Sequence, residues 1–157
     1  MAVFLKAYGL VSRETPEFRR CWLTFPWTRL YEHPHSECAV LVEREFQGER
    51  LVLAAKIRQP EEMSLQEIDR CLKDFREKPV REVSAFRQLI RLGRLPWFLR
   101  RFFLWRYLAT TGFKRSIRLG TFMVSSLGNF GVEQHHPLTP HTTYFTFGPI
   151  SESGEVN

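Results

Sequence analysis

Two adjacent serines and two adjacent histidines stand within one stretch, GTFMVSSLGNFGVEQHHPLTP, running from Gly120 to Pro140. Ser125 and Ser126 carry hydroxyls that can attack a carbonyl or donate to the oxyanion of a tetrahedral intermediate. His135 and His136 carry imidazoles that titrate near neutrality and can act as bases. No G-x-S-x-G elbow surrounds the serines, so a nucleophilic serine is not supported. Two readings stay open for them: an oxyanion donor, or a strand-end hydroxyl bonded to backbone. The histidines have only Glu133 as a nearby carboxylate and are followed by Pro137 and Pro140, which reads as a solvated loop. His33 and His35 flank Pro34, too few ligands for a metal site. Cys21, Cys38 and Cys71 are odd in number and far apart, which predicts free thiols in a reducing cytoplasm and no zinc cluster.

The elements that must position these groups can be read from periodicity. Apolar residues at Val3, Phe4, Ala7, Tyr8, Leu10 and Val11 predict a helix over Ala2–Ser12. Thr15 and Pro16 look like the cap and first turn of a second helix. LTFPWTRLYEHPH, rich in proline and aromatics, reads as an irregular crossing segment. CAVLVEREF and RLVLAAKI, joined by Gln47-Gly48-Glu49, predict a hairpin from Cys38 to Ile57. SLQE is a capping box on Ser64 and Glu67, opening a helix that should end near Lys78, before Pro79. A further helix is expected over Ser84–Leu95, with Arg87, Arg91 and Arg94 on one face, and Pro96 opens PWFLRRFFLWRYLA. TFMVSS and TTYFTFG are strand-like. Helices and strands mix without regular alternation, so the expected class is α+β, a mixed sheet with helices on one face.

The chain has 157 residues, enough for one domain with a real core, and 14 Phe and 4 Trp. Its net charge of +6 is unevenly spread: Phe86 to Arg118 holds nine Lys/Arg and no Asp or Glu, leaving −3 for the remainder. An anionic partner is therefore sought in that segment. Its bland reading is a helical pair with solvated arginines. Its sharper reading is interfacial: Trp97, Phe98, Phe102, Phe103, Trp105 and Tyr107 enter a headgroup boundary while Arg100, Arg101 and Arg106 reach phosphates. Binding of the phosphates of coenzyme A is a third. No run of 18 apolar residues is present, which argues against a spanning helix, and the first residues lack the long apolar core of a signal peptide.

GTFMVSSLGNFGV resembles the strand–turn motif of the acyltransferase catalytic domain of 2-oxoacid dehydrogenase complexes, whose fold is shared with chloramphenicol acetyltransferase. That motif reads G-x-F-T-I-S-x-L-G followed by an aromatic-Gly turn; Gly120, Phe122, Ser125, Leu127, Gly128, Phe130 and Gly131 match it. PLTPHTTYFTFGPI is similar to the family's next loop and strand. VFLKAYGLVSRETPEF resembles the helix F-(V)-K-A-x-A-x-A-L-x-x-x-P-x-x-N, and RQPEEMSLQEIDRCLKDFRE resembles R-x-A-x-x-x-S-L-x-E-I. The matches run in order from Val3 to Ile150.

The resemblance implies a two-layer, chloramphenicol acetyltransferase-like domain over 1–157, with a basic aromatic helical insertion at about 84–118. It implies acyl transfer between a thioester, of coenzyme A or a lipoyl group, and an acceptor, with no covalently bound cofactor. Ser125 would be the oxyanion donor and Ser126 the runner-up. Trimeric assembly is implied too. The family base lies in H-x-x-x-D-G, which is absent; HHPLTPH places Pro140 and His141 where Asp and Gly belong. The chain is therefore expected to be a partial domain, inactive alone, whose base lies outside it. The competing expectation is a non-catalytic module contacting an anionic membrane surface through Arg87, Arg91, Arg94, Arg100, Arg101 and Arg106. A cytoplasmic protein, peripheral to the membrane in that second case, is expected; nucleic acid is not an expected partner.

Overall fold

A computed structural model describes residues 1–126 and 139–147. The elements run α1 (Ala2–Glu14), a 3-10 turn (Pro16–Arg19), β1 (Arg20–Leu23), β2 (Arg29–Glu32), β3 (Glu37–Phe46), β4 (Glu49–Arg58), α2 (Leu65–Glu77), α3 (Ser84–Gly93), α4 (Trp97–Ala109), α5 (Gly112–Leu119), β5 (Phe122–Ser126) and β6 (Thr143–Phe147). The class is α+β, as expected. The main sheet has the order β4-β3-β5-β6, with β3 and β4 antiparallel and β3, β5 and β6 mutually parallel. A separate antiparallel ribbon joins β1 to β2.

Alternation along the strands puts Cys38, Val40 and Val42 of β3, Leu53, Ala55 and Ile57 of β4, and Phe122 and Val124 of β5 on one buried face. Leu5 of α1 and Ile68 and Leu72 of α2 pack on it, and Val80, Val83 and Phe86 complete the core. Ile68 and Leu72 are four residues apart, so one stripe of α2 supplies both. The helix starts where the capping box predicts: the Ser64 hydroxyl accepts from the Glu67 N–H at 3.2 Å, and the Ser64 N–H donates to the Glu67 carboxylate at 2.7 Å. Arg44 of β3 donates to the carbonyls of Phe75 and Lys78 at 2.6 and 2.7 Å, tying the other end of α2 to the sheet. The hairpin turn is tighter than expected. Gln47 and Gly48 alone form it, both with positive φ, and Glu49 already pairs with Phe46.

The parallel pair β3–β5 is set by a local device at its start. Gly120 has φ +96, and a Cβ there would lie 2.9 Å from the Glu37 carbonyl oxygen and 3.2 Å from Ala39. Only a glycine lets the chain leave α5 this close to β3. The next residue, Thr121, donates its N–H to the Glu37 carbonyl at 2.7 Å, and its hydroxyl accepts from the Glu37 N–H at 3.0 Å. The G-x-F motif thus has a structural cause: glycine for approach, threonine for the clamp, and Phe122 for the core.

Four sequence expectations are corrected. Thr15 makes no side-chain cap bond, and a 3-10 turn replaces the second helix. The segment expected to be irregular supplies β2 and the last residue of β1 to an antiparallel ribbon. The basic segment holds three helices rather than a pair. Arg94 lies past the end of α3, so it does not share the helical face of Arg87 and Arg91.

His33, read on sequence only as lacking the partners for a metal site, is buried. It is 1% exposed, its ring meets Tyr31 edge-on at 5.1 Å, and its Nδ1 has no hydrogen-bond partner among the described residues. Burial, together with the Arg115 and Arg19 charges, lowers its pKa to about 4. The folded state therefore binds this proton more weakly than the unfolded chain does. Stability from His33 is complete above its ordinary pKa and is lost as pH falls through the window between the two values.

Two predictions follow from these positions. Between pH 6.5 and pH 4 the native protein should lose about 3 kcal/mol more stability than a His33→Gln variant, read from urea midpoints. Parallel pH profiles for the two proteins would remove His33 as the cause. Gly120→Ala combines left-handed strain with a backbone clash and should cost ~3 kcal/mol or more. Gly48→Ala, at φ +81 with nothing near its missing Cβ, should cost only about 1 kcal/mol. Equal costs would mean that the approach to Glu37 is not close.

Candidate functional site

Ser125 lies at the carboxyl end of β5, between β3 and β6, with Thr146 as its β6 partner. It is 6% exposed. Strand alternation puts it on the same face as Met123, opposite the face that packs on α1 and α2. Among the described residues it borders a cavity of about 610 Å³ that reaches both faces of the sheet, lined by Leu41, Glu43 and Val52 on one side and by Val42 and Leu72 of α2 on the other. Arg50 and Glu43 pair across that cavity's wall at 3.7 Å. A hydroxyl buried at a strand end beside a cavity is placed to donate to an oxygen that becomes charged during a reaction. Ser126 is the last residue of β5 and pairs with Phe147. Leu127, Gly128, Phe130, Gly131, His135 and His136 lie outside the described residues.

His141, dismissed on sequence as part of HHPLTPH, is a structural anchor. Its Nε2 lies 2.7 Å from the Leu119 carbonyl and its Nδ1 meets the Thr139 hydroxyl. The carbonyl can only accept, so Nε2 carries the proton and Nδ1 accepts from Thr139. Burial pushes its pKa down, partly opposed by the Leu119 bond. The ring holds the entry to β6 against the end of α5. Among the described residues, no group of three His, Cys, Asp or Glu side chains is arranged to hold a metal ion. The three cysteines are free, and burial raises each thiol pKa, most of all at Cys38. Raised pKa values make them poor nucleophiles.

The nine cations of the basic segment divide into two groups. Arg115 is internal wiring: it donates to the carbonyls of Trp22 at 3.0 Å and Leu108 at 3.2 Å, and to that of Pro140. Arg118 donates to Gln88 at 2.8 Å and lies over the Tyr107 ring. Arg87, Arg91, Arg94, Arg100, Arg101, Arg106 and Lys114 are exposed, and none joins an ion pair among the described residues. Sequence reasoning did not separate these groups, because an arginine bonded to carbonyls and one in water look alike in a charge run. Helix α4 buries only Ala109, leaving Trp97 70% and Phe98 55% exposed. No helix among the described residues is long and apolar enough to cross a membrane.

No protein-family model matches the chain, and no curated protein does. Solved structures do match. A probable dihydrolipoamide acetyltransferase from Listeria monocytogenes is 19% identical, with a TM-score of 0.58, covering 99% of this chain and 55% of its own. A dihydrolipoamide acetyltransferase from Azotobacter vinelandii, in which the catalytic roles of a serine, a histidine and an asparagine were investigated, is 18% identical with a TM-score of 0.54, covering 99% of this chain and 54% of its own. The cubic core of a pyruvate dehydrogenase multienzyme complex gives 18% identity, a TM-score of 0.53, and coverage of 99% and 54%. The chain spans about half the length of these structures, and across almost all of its own length it has the α+β fold of the dihydrolipoamide acetyltransferases.

Proposed function

We propose that this chain carries the oxyanion side of an acyltransferase site that moves an acyl group between a thioester and a thiol. The observation that supports it is the placement of Ser125: buried, beside a cavity, at the carboxyl end of a central strand, within a fold shared with dihydrolipoamide acetyltransferases. The thioester is that of coenzyme A or a lipoyl group. A base removes the proton from the acceptor thiol, and the thiolate attacks the carbonyl carbon. The new carbon–sulfur bond pushes the carbonyl electrons onto oxygen, where the Ser125 hydroxyl donates. Collapse re-forms the carbonyl and expels the second sulfur as a thiolate, which takes the proton back from the base. That base comes from outside this chain, and the working assembly is a homo-oligomer, a trimer in this reading. The protein is cytoplasmic, and residues 1–157 act as one domain in which 84–118 is an insertion.

Contact with an anionic membrane surface is a second reading. It rests on the exposed α4 aromatics beside the exposed Arg100, Arg101 and Arg106. Arg87, Arg91 and Arg94 would add to the attraction, at ~1 kcal/mol for each cation near the surface.

Thiol release from acetyl-coenzyme A with dihydrolipoamide as acceptor, measured on the protein expressed from its natural reading frame, tests the first reading. Ser125→Ala should lower kcat by ~10²-fold with little change in KM, because the bond strengthens in the transition state. The same loss in Ser126→Ala instead would move the role one residue along, and no loss in either would end the oxyanion reading. For the membrane reading, the protein should sediment with vesicles containing phosphatidylserine and be released near 1 M salt, where the Debye length is ~3 Å. Equal sedimentation with neutral vesicles, or none at low salt, would count against it.

A further inference from the structure

A second cavity, of about 620 Å³, lies between α3, α4, α5 and the sheet face that carries Ala54, Lys56 and Met123. Leu89, Leu92 and Leu95 line it from the α3 side, and Phe103, Leu104 and Tyr107 from α4. Its volume falls within the range of sites that enclose a small organic molecule. The formally charged groups in its wall are of one sign. Lys56, Arg91 and Arg118 line it, and no Asp or Glu does among the described residues.

The cations retain donor capacity. Lys56 gives one N–H to the Ile117 carbonyl, leaving two more on its ammonium. Arg118 gives one guanidinium N–H to Gln88 and keeps others. Half-burial lowers the Lys56 pKa, so its charged form gains from a nearby anion. Glu37 acts electrostatically on Lys56 but does not line the cavity, so a neutral apolar guest would leave the cations without a counterion inside it. A cationic guest would be repelled.

We propose that this cavity binds a single-chain amphiphilic anion, its aliphatic tail against the leucines and aromatic rings and its anionic head at Lys56, Arg91 and Arg118. The cavity shares no lining residue with the one at Ser125. The inference goes beyond the acyl-transfer reading and does not depend on it, since binding is measured without turnover.

Titration calorimetry on the whole protein, with ligands below their micelle concentrations, tests it. Dodecanoate and dodecyl phosphate separate a carboxylate head from a phosphate head. At least one should bind ten or more times tighter than dodecanol, an effect on the order of one charged hydrogen bond, and dodecyltrimethylammonium should not bind. Shortening the better ligand by two methylenes should weaken it by about fifteenfold, given roughly fourfold for each buried methylene. Leu92→Trp should fill the cavity and abolish binding, with Leu89→Trp as the second filling variant if the first does not fold by circular dichroism. Lys56→Gln should weaken the anion but not dodecanol. Equal affinity for dodecanol and the anions, no binding of either anion, or unchanged binding by a folded filling variant would overturn the proposal. The last result would place the ligand on the exposed α4 aromatics instead.

Discussion

The parallel pairing of β3 with β5 is the contact on which the rest of the structure depends. Parallel neighbours need a connection that brings the chain back to the same end, and here β4 makes the return and α2 to α5 complete the connection. Its end is governed at a single point, where Gly120 passes under the Glu37 carbonyl and Thr121 clamps onto it. From there β5 has no freedom of register: Phe122 meets Cys38, Met123 meets Ala39, and Val124 meets Val40. Shifting by one residue would exchange Phe122 and Val124 for Met123 and Ser125 in the core. The same register therefore fills the core and brings the Ser125 hydroxyl to the opposite face, beside a cavity.

The basic helices are attached to this frame through polar contacts more than through a deep core. Arg115 reaches the β1–β2 ribbon and the entry to β6, and the Phe25 N–H donates to the Ala109 carbonyl at 3.0 Å. Trp105 meets the Phe25 ring edge-on at 5.4 Å. The opposite surfaces of α4 and the face of α3 stay open, with exposed arginines and large aromatics together. A single segment thus does two jobs. Arg115 and Arg118 hold the fold, while the other arginines stay exposed and outside any ion pair among the described residues, and the charge run in the sequence is the sum of both.

The hairpin and the capping box were legible because each is a local requirement, whereas Gly120 answers to Glu37 across the sheet and was singled out only by the motif resemblance. Ser64 and Glu67 are three residues apart whatever the rest of the chain does, and β3 keeps its alternation over ten residues. The β1–β2 ribbon was not legible because its strands are four residues long and carry Trp22 and Leu30 on the solvent side, which hides the period. His33 is buried, and one of the charges that lowers its pKa is Arg115, more than eighty residues away, so no local pattern announces its state. At the site, the motif resemblance singled out Ser125, and residue types alone left its role open. The two cavities could not be read from the chain at all. Each is bounded by elements distant in sequence: β3, β4, β5 and α2 around one, α3, α4, α5 and the sheet around the other.

The register of β5 beside β3 is the central claim, because the core, the placement of Ser125 and the likeness to the acetyltransferase fold all require it. Interstrand nuclear Overhauser effects in the 18.6 kDa protein measure it directly. Backbone proton contacts typical of a parallel pair should link Cys38, Ala39 and Val40 to Phe122, Met123 and Val124, in that order. Contacts shifted by one residue, or the close α-proton pairs of an antiparallel ladder between these two strands, would contradict the account.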